Sequence, residues 1–129
     1  PCATQNEVDK TDADALVDGP CWLIGEGANM PLQDEAMETV KNSGITLAPA
    51  KAANAGGVAV SGLEIMQNQM RKSRTRQEIS DDLSRIMGAL HDICREHGSD
   101  GTGKVDYVRG ANIAGSLRVA DAMVAQGLG

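Results

Sequence analysis

Ile45-Thr46-Leu47-Ala48-Pro49, and then Asn54-Ala55-Gly56-Gly57-Val58-Ala59-Val60-Ser61-Gly62-Leu63, form the stretch on which the fold turns. The apolar run stops at a proline, which has no N–H for a sheet ladder and suits a strand end. A loop of small residues leads to Asn54-Ala55-Gly56-Gly57, the expected opening of a helix. Along that helix Ala59, Leu63, Met66 and Met70 recur at steps of four, three and four, which predicts a buried stripe at helical period. A strand feeding a helix start brings unpaired N–H groups and the positive end of the helix dipole to the strand's carboxyl end. That is a seat for an anionic ligand. Asn54 before the first turn and Ser61 just within the helix add two neutral hydrogen-bonding groups. A plainer account fits the same residues: glycines for a tight turn, Asn54 as N-cap, and Ser61 as a small packing residue.

Upstream, Cys21-Trp22-Leu23-Ile24 reads as a second short strand, apolar throughout, as expected where both faces of a sheet are covered. Between the strands a helix is expected from about Leu32 to Asn42. Pro31 stands at its start, where no N–H bond is lost; Ala36, Met37 and Val40 form its buried face, and Gly44 closes it. Strand, helix and strand make a βαβ unit with parallel strands and a right-handed crossover. Both strand ends, Gly25–Asn29 and Pro49–Asn54, then share one edge, where open α/β sheets bind ligands. Gly25-Glu26-Gly27 offers a G-x-G, but the third glycine position of a dinucleotide loop falls on Met30, so no phosphate loop is read there. Further back, Thr11 and Asp14 read as the capped start of a brief helix ended by Gly19-Pro20, and Cys2 to Glu7 as a loop.

Downstream, Arg74-Thr75-Arg76 is a basic linker, and Thr75 with Glu78 makes a capping box. Ile79, Leu83, Ile86, Leu90, Ile93 and His97 follow at three- and four-residue steps, an amphipathic helix ended by Gly98. Ser99 to Lys104 reads as a flexible connection whose G-x-G-K lacks Walker spacing. A last helix, capped by Asp106, runs to about Gln126 with Ile113, Leu117, Ala120 and Val124 on one face. Gly110 and Gly115 inside it cost about 1 kcal/mol each against Ala, so close approach of another backbone, such as another domain's, is expected there.

The 129 residues suffice for one domain. With 41% hydrophobic residues but only 2% aromatic, the core is built of Ala, Val, Ile, Leu and Met, which suits helices on a small sheet. The formal charge of −6 comes without a basic stripe, which argues against nucleic acid as a partner. No run approaches the ~20 apolar residues of a membrane span, and no signal-peptide pattern is present. Cys2, Cys21 and Cys94, an odd number at irregular spacing, point to reduced thiols and a cytoplasmic protein.

Four segments, in order, resemble the hexameric glutamate dehydrogenases within the glutamate, leucine, phenylalanine and valine dehydrogenase family. They are Pro1-Cys2-Ala3-Thr4-Gln5-Asn6-Glu7, Glu26-Gly27-Ala28-Asn29-Met30-Pro31, Lys51 to Glu64, and Tyr107-Val108-Arg109-Gly110-Ala111-Asn112-Ile113-Ala114-Gly115. The likeness runs nearly end to end and is strongest to the bacterial NADP-linked branch. It implies an α/β chain: the C-terminal part of a Rossmann-like parallel-sheet domain, with about two strands, followed by long packed helices. Residues 1–72 would be the βαβ portion with its following helix, and 73–129 a C-terminal helical segment. The chain begins within a motif, with no G-x-G-x-x-G upstream, so it is expected to be a piece of a longer protein. The N-terminal substrate domain, with the family's catalytic Lys and Asp, would lie outside it, leaving no catalytic residue here and the piece inactive alone.

The activity implied is reversible reductive amination of 2-oxoglutarate with ammonia and NADPH to L-glutamate, through an iminium and hydride delivery from the nicotinamide. The assembly implied is a homohexamer. Carried over by position, Ala3 and Thr4 would border the nicotinamide–ribose region, and Asn29 and Asn54 would hold the nicotinamide end. Ser61 would hydrogen-bond the distal carboxylate of the substrate, with Val58 on its methylene chain.

Two other readings compete: another amino-acid dehydrogenase of the same fold, or a non-enzymatic helical interaction fragment. Ser61 separates the first of these, because a branched-amino-acid pocket favours an apolar residue there. His91-x-x-Cys94-x-x-His97 is the one metal-like cluster, and without a fourth ligand it is read as helix surface, so no metal is expected. Ser61 lacks the G-x-S-x-G setting of a nucleophile, and Asp81-Asp82 and Asp34-Glu35 read as solvated helix faces.

Overall fold

A computed structural model describes residues 1–127. The elements follow in order as α1 (Lys10–Asp18), β1 (Leu23–Gly25), α2 (Asp34–Ser43), β2 (Thr46–Ala48), α3 (Ala50–Ala53), α4 (Ala55–Met70), α5 (Arg76–Gly98) and α6 (Tyr107–Gln126). The strands are parallel, with Leu23 opposite Thr46 and Gly25 opposite Ala48. This is the α/β arrangement expected of the sequence. The Glu26 N–H donates to Ala48 O at 3.0 Å and carries the ladder one residue beyond β1.

The core is small. Ala13 of α1, Ala36 and Val40 of α2, Leu32, Ile24 of β1 and Leu47 of β2 are all buried together, with Val8, Leu16, Met37 and Val108 packed around them. Strand alternation sends Ile24 and Leu47 to this side. On the other side of β1 Leu23 is exposed and Trp22 is 74% exposed, so among the described residues the covering of both faces expected of an apolar strand is not found.

Two boundaries differ from expectation for local reasons. The first helix is capped by Asp9, not Thr11; Asp9 accepts from the Asp12 N–H at 3.0 Å, and Asp12 returns the bond to the Asp9 N–H. Lys10 then pairs with Asp14 at 2.7 Å. Pro31 does not open α2; it is buried before it, its carbonyl accepting from the Val8 N–H, and α2 begins at Asp34. Gly44 does end α2, in the left-handed conformation that a side chain resists (φ 85°).

The helical stripes form but are only partly covered. Ala59 and Leu63 of α4 are half-buried, while Met66 and Met70 are exposed, and no α4 residue is buried. On α5, capped by the Thr75–Glu78 box as expected, Ile79, Leu83, Ile86 and Leu90 are half-buried; the line then passes through buried Cys94 rather than exposed Ile93. On α6, Asp106 caps as expected, Ile113 is half-buried, and Leu117, Ala120 and Val124 face outward. Asp82 is not merely solvated. It accepts from Arg74 at 2.7 Å and Arg85 at 2.9 Å, and these bonds, Arg85 first, hold its carboxyl below the usual range. The Ser99–Val105 segment is a closed turn rather than a loose link: Ser99 and Val105 form an antiparallel bridge, Gly101 and Gly103 take positive φ, and Asp100 accepts from Thr102.

That turn brings α6 back onto α5 with backbone against backbone. A Cβ on Gly110 would lie 1.9 Å from the Cys94 carbonyl oxygen, and one on Gly98 would lie 2.3 Å from Asp106 O. The close approach expected at Gly110 is therefore made within the chain, whereas Gly115 faces open space.

Gly110→Ala should lower the unfolding free energy of the chain in denaturant titration by roughly 1–3 kcal/mol, since the clash is with rigid backbone. Gly115→Ala should raise it by up to about 1 kcal/mol, the helix propensity difference. Burial also pushes the Cys94 thiol above its ordinary pKa. With less thiolate at a given pH, Cys94 should react with a disulfide reagent at pH 8 more slowly than exposed Cys2, and speed up as pH rises. Equal rates at the two positions would contradict the buried setting.

Candidate functional site

Two loops leave the carboxyl ends of β1 and β2 side by side. The first, Glu26–Pro31, carries Asn29; the second runs from Pro49 through α3 to Asn54. A third segment lies along the first. The Gly27 N–H donates to Pro1 O at 2.8 Å, the Asn6 N–H to Met30 O and the Val8 N–H to Pro31 O, both at 3.0 Å. Gly27 makes this possible, because a Cβ there would stand 2.8 Å from Cys2 Cβ. Exposed Ala3 and Thr4 lie in the bend between these anchors. Met30 itself adopts φ 49°, the left-handed turn that swings the chain away from the sheet.

The second loop is more helical than expected. Ala50–Ala53, three of them alanines, coil directly after Pro49, and Asn54 continues in the right-handed region, its N–H donating to Ala50 O at 3.0 Å. The Gly57 N–H in turn donates to Asn54 O. Asn54 thus makes no side-chain cap, and Gly56–Gly57 lies inside a nearly continuous helix. The helical start lies further back, and the Ala50 N–H there is taken at 2.7 Å by the Glu26 carboxylate. Glu26 is 3% exposed, and its other oxygen, Oε1, has no partner among the described residues.

Freed from capping, the Asn54 amide donates to Asn29 Oδ1 at 2.8 Å, so the two asparagines singled out in the sequence meet across the strand ends. In this pairing Asn29 keeps its –NH2 and Asn54 its amide oxygen, a donor and an acceptor side by side. Val58 and Ser61 stand four and seven residues beyond Asn54, on the same face of α4. Val58 is 75% exposed. The Ser61 hydroxyl donates back to Gly57 O at 3.1 Å and must turn away from it to donate to a ligand.

Two features were not singled out in the sequence. Glu26 carried a signal, an acidic residue directly after an apolar strand. The hydrogen bond from Lys51 Nζ to Asn112 Oδ1, tying α3 to α6, carried none, since the two stand 61 residues apart. The His91–Cys94–His97 segment does not gather. His91 bonds Tyr107 Oη at 3.0 Å, Cys94 is buried against α6, and among the described residues no group of three such side chains is set to hold a metal.

The sequence model described as "Glutamate/Leucine/Phenylalanine/Valine dehydrogenase" matches residues 1–127. Among curated relatives, the NADP-specific glutamate dehydrogenase of Chlorella sorokiniana is 51% identical over 98% of the chain. That of Escherichia coli K12 is 49% identical over 99%. The chain spans 24% of the first protein and 28% of the second. The solved structure of Plasmodium falciparum glutamate dehydrogenase superposes on the whole chain with a TM-score of 0.93 at 45% identity, covering 28% of that structure.

Proposed function

The chain belongs to the glutamate/leucine/phenylalanine/valine dehydrogenase family, and on that footing we propose that it forms part of an NADP-dependent glutamate dehydrogenase. The reaction is the reversible reductive amination of 2-oxoglutarate with ammonia to L-glutamate. One observation carries this reading: the Asn29–Asn54 amide pair sits at the shared strand edge with Val58 and Ser61 on the adjoining helix face. The donor set fits the nicotinamide end of a dinucleotide. Two neutral amides suit a carboxamide, the Thr4 hydroxyl and the Ala3 carbonyl suit a ribose (the Ala3 N–H donates to Glu7 Oε1 at 3.0 Å), and the edge is where open parallel sheets take such ligands. When bound, the dinucleotide supplies the hydride.

The residues of the chain orient and read. Asn29 and Asn54 hold the carboxamide, Ser61 donates to the distal carboxylate of the substrate, and Val58 covers its methylene chain. Residues 1–72 serve as the ligand-bearing unit and 73–129 as its helical support. The whole enzyme assembles as a homohexamer in the cytoplasm. Three unpaired cysteines and the lack of any described helix long and apolar enough to cross a membrane support that location.

The test is turnover by the full-length gene product with 2-oxoglutarate and ammonium, using NADPH and NADH in parallel. NADPH oxidation is expected. Turnover with NADH alone would overturn the cofactor, and preference for an apolar 2-oxo acid would move the protein to a leucine- or phenylalanine-type enzyme. Ser61→Ala should raise KM for 2-oxoglutarate by about tenfold, the loss of one hydrogen bond to a charged group, and leave KM for ammonium unchanged. Equal changes in both constants would remove Ser61 from the carboxylate.

A further inference from the structure

We propose that Glu26 is a positioning residue for the Asn29–Asn54 pair, an inference that rests on the proposed nicotinamide site. The hydrogen bonds close a ring through two loops. The Glu26 carboxylate accepts from the Ala50 N–H at 2.7 Å, the Ala50 carbonyl accepts from the Asn54 N–H at 3.0 Å, and the Asn54 amide donates to Asn29 Oδ1 at 2.8 Å. Three residues of chain return from Asn29 to Glu26. Each link has a direction, so the carboxylate sets where α3 begins, α3 sets Asn54, and Asn54 sets the face that Asn29 offers.

The placement of Glu26 is poor for stability alone. A carboxylate 3% exposed has one oxygen bonded to a backbone N–H and the other without a partner among the described residues. Buried polar groups are ordinarily fully paired, and an exception marks a site kept for another reason. No cation meets it. The strand ladder already joins the same two segments, through Glu26 N–H to Ala48 O, so the side chain is not needed to hold β1 on β2. What it adds is control of the turn after β2, four residues before Asn54.

The experiment uses the full-length enzyme with Glu26→Gln, Glu26→Ala, Asn54→Ala and the double variant Glu26→Ala/Asn54→Ala. Glu26→Ala should raise KM for NADPH about tenfold or more, whereas Glu26→Gln, whose amide oxygen still accepts from Ala50, should stay within about threefold of wild type. In the Asn54→Ala background the Glu26→Ala change should add less than about twofold, because the two residues act in series. A lowered melting temperature with unchanged KM, or full multiplicative effects in the double variant, would overturn the proposal by making Glu26 merely structural. Hydrogen exchange without any ligand gives a readout independent of activity. Glu26→Ala should speed exchange at 28–30 and 50–54, and unchanged rates would overturn the ring. If the wild type turns over no 2-oxo acid with either cofactor, the proposed function fails, while the exchange rates still decide the ring.

Discussion

The hydrogen bond from the Ala50 N–H to the buried Glu26 carboxylate ties together the two loops of the proposed ligand edge. It joins the residue just past β1 to the first residue past Pro49, and so fixes how the two loops emerge relative to one another. Everything assigned to the site hangs on one of those loops: Asn29 on the first, Asn54 on the second, Val58 and Ser61 on the helix the second becomes. The N-terminal bend with Ala3 and Thr4 is held to the first loop by backbone bonds at Gly27, Met30 and Pro31. A negative group at a helical start is also electrostatically favourable, which makes this end of the helix a place already supplied with its anion.

The early coil is what the sequence did not show ahead of Gly56–Gly57. A glycine pair after small residues reads as a helix opening, and a helix opening reads as an anion seat. Alanine favours helix strongly enough that Ala50–Ala53 coils before the glycines arrive, and the orphan donor moves back to Ala50. Elsewhere the local signals were sound. Thr75–Glu78, Asp106 and Gly44 ended or began helices where their chemistry demands, and the strand pair came out parallel because two short apolar runs bracket a helix. The first cap shifted by two residues because Asp9 and Asp12 match the box as well as Thr11 and Asp14 do.

Long-range pairings left little trace. Asn29 and Asn54 could be placed at one edge from topology, but their direct bond depends on the exact start of the helix. The tie of Lys51 to Asn112 has no local signature at all. Periodicity likewise told which faces are apolar and not what covers them. Met66 and Met70 on α4 and Leu117 and Val124 on α6 follow a helical rhythm yet face outward here, as Trp22 does beside the sheet.

The contact of α5 with α6 through Gly98 and Gly110 has a mechanical meaning. Where side chains separate two helices, the gap is soft, because rotamers adjust and the helices slide. Here the Cys94 carbonyl rests on bare α-carbon, and the turn at 99–105 is clamped by its own bridge. Contact this close leaves the two helices little room to slide, and it lies near the start of α6, where Val108 packs on the core. Asn112, one turn beyond Val108, is bonded to Lys51, so the stiff α5–α6 pair is tied directly to α3, the short coil that also carries Asn54 at its end.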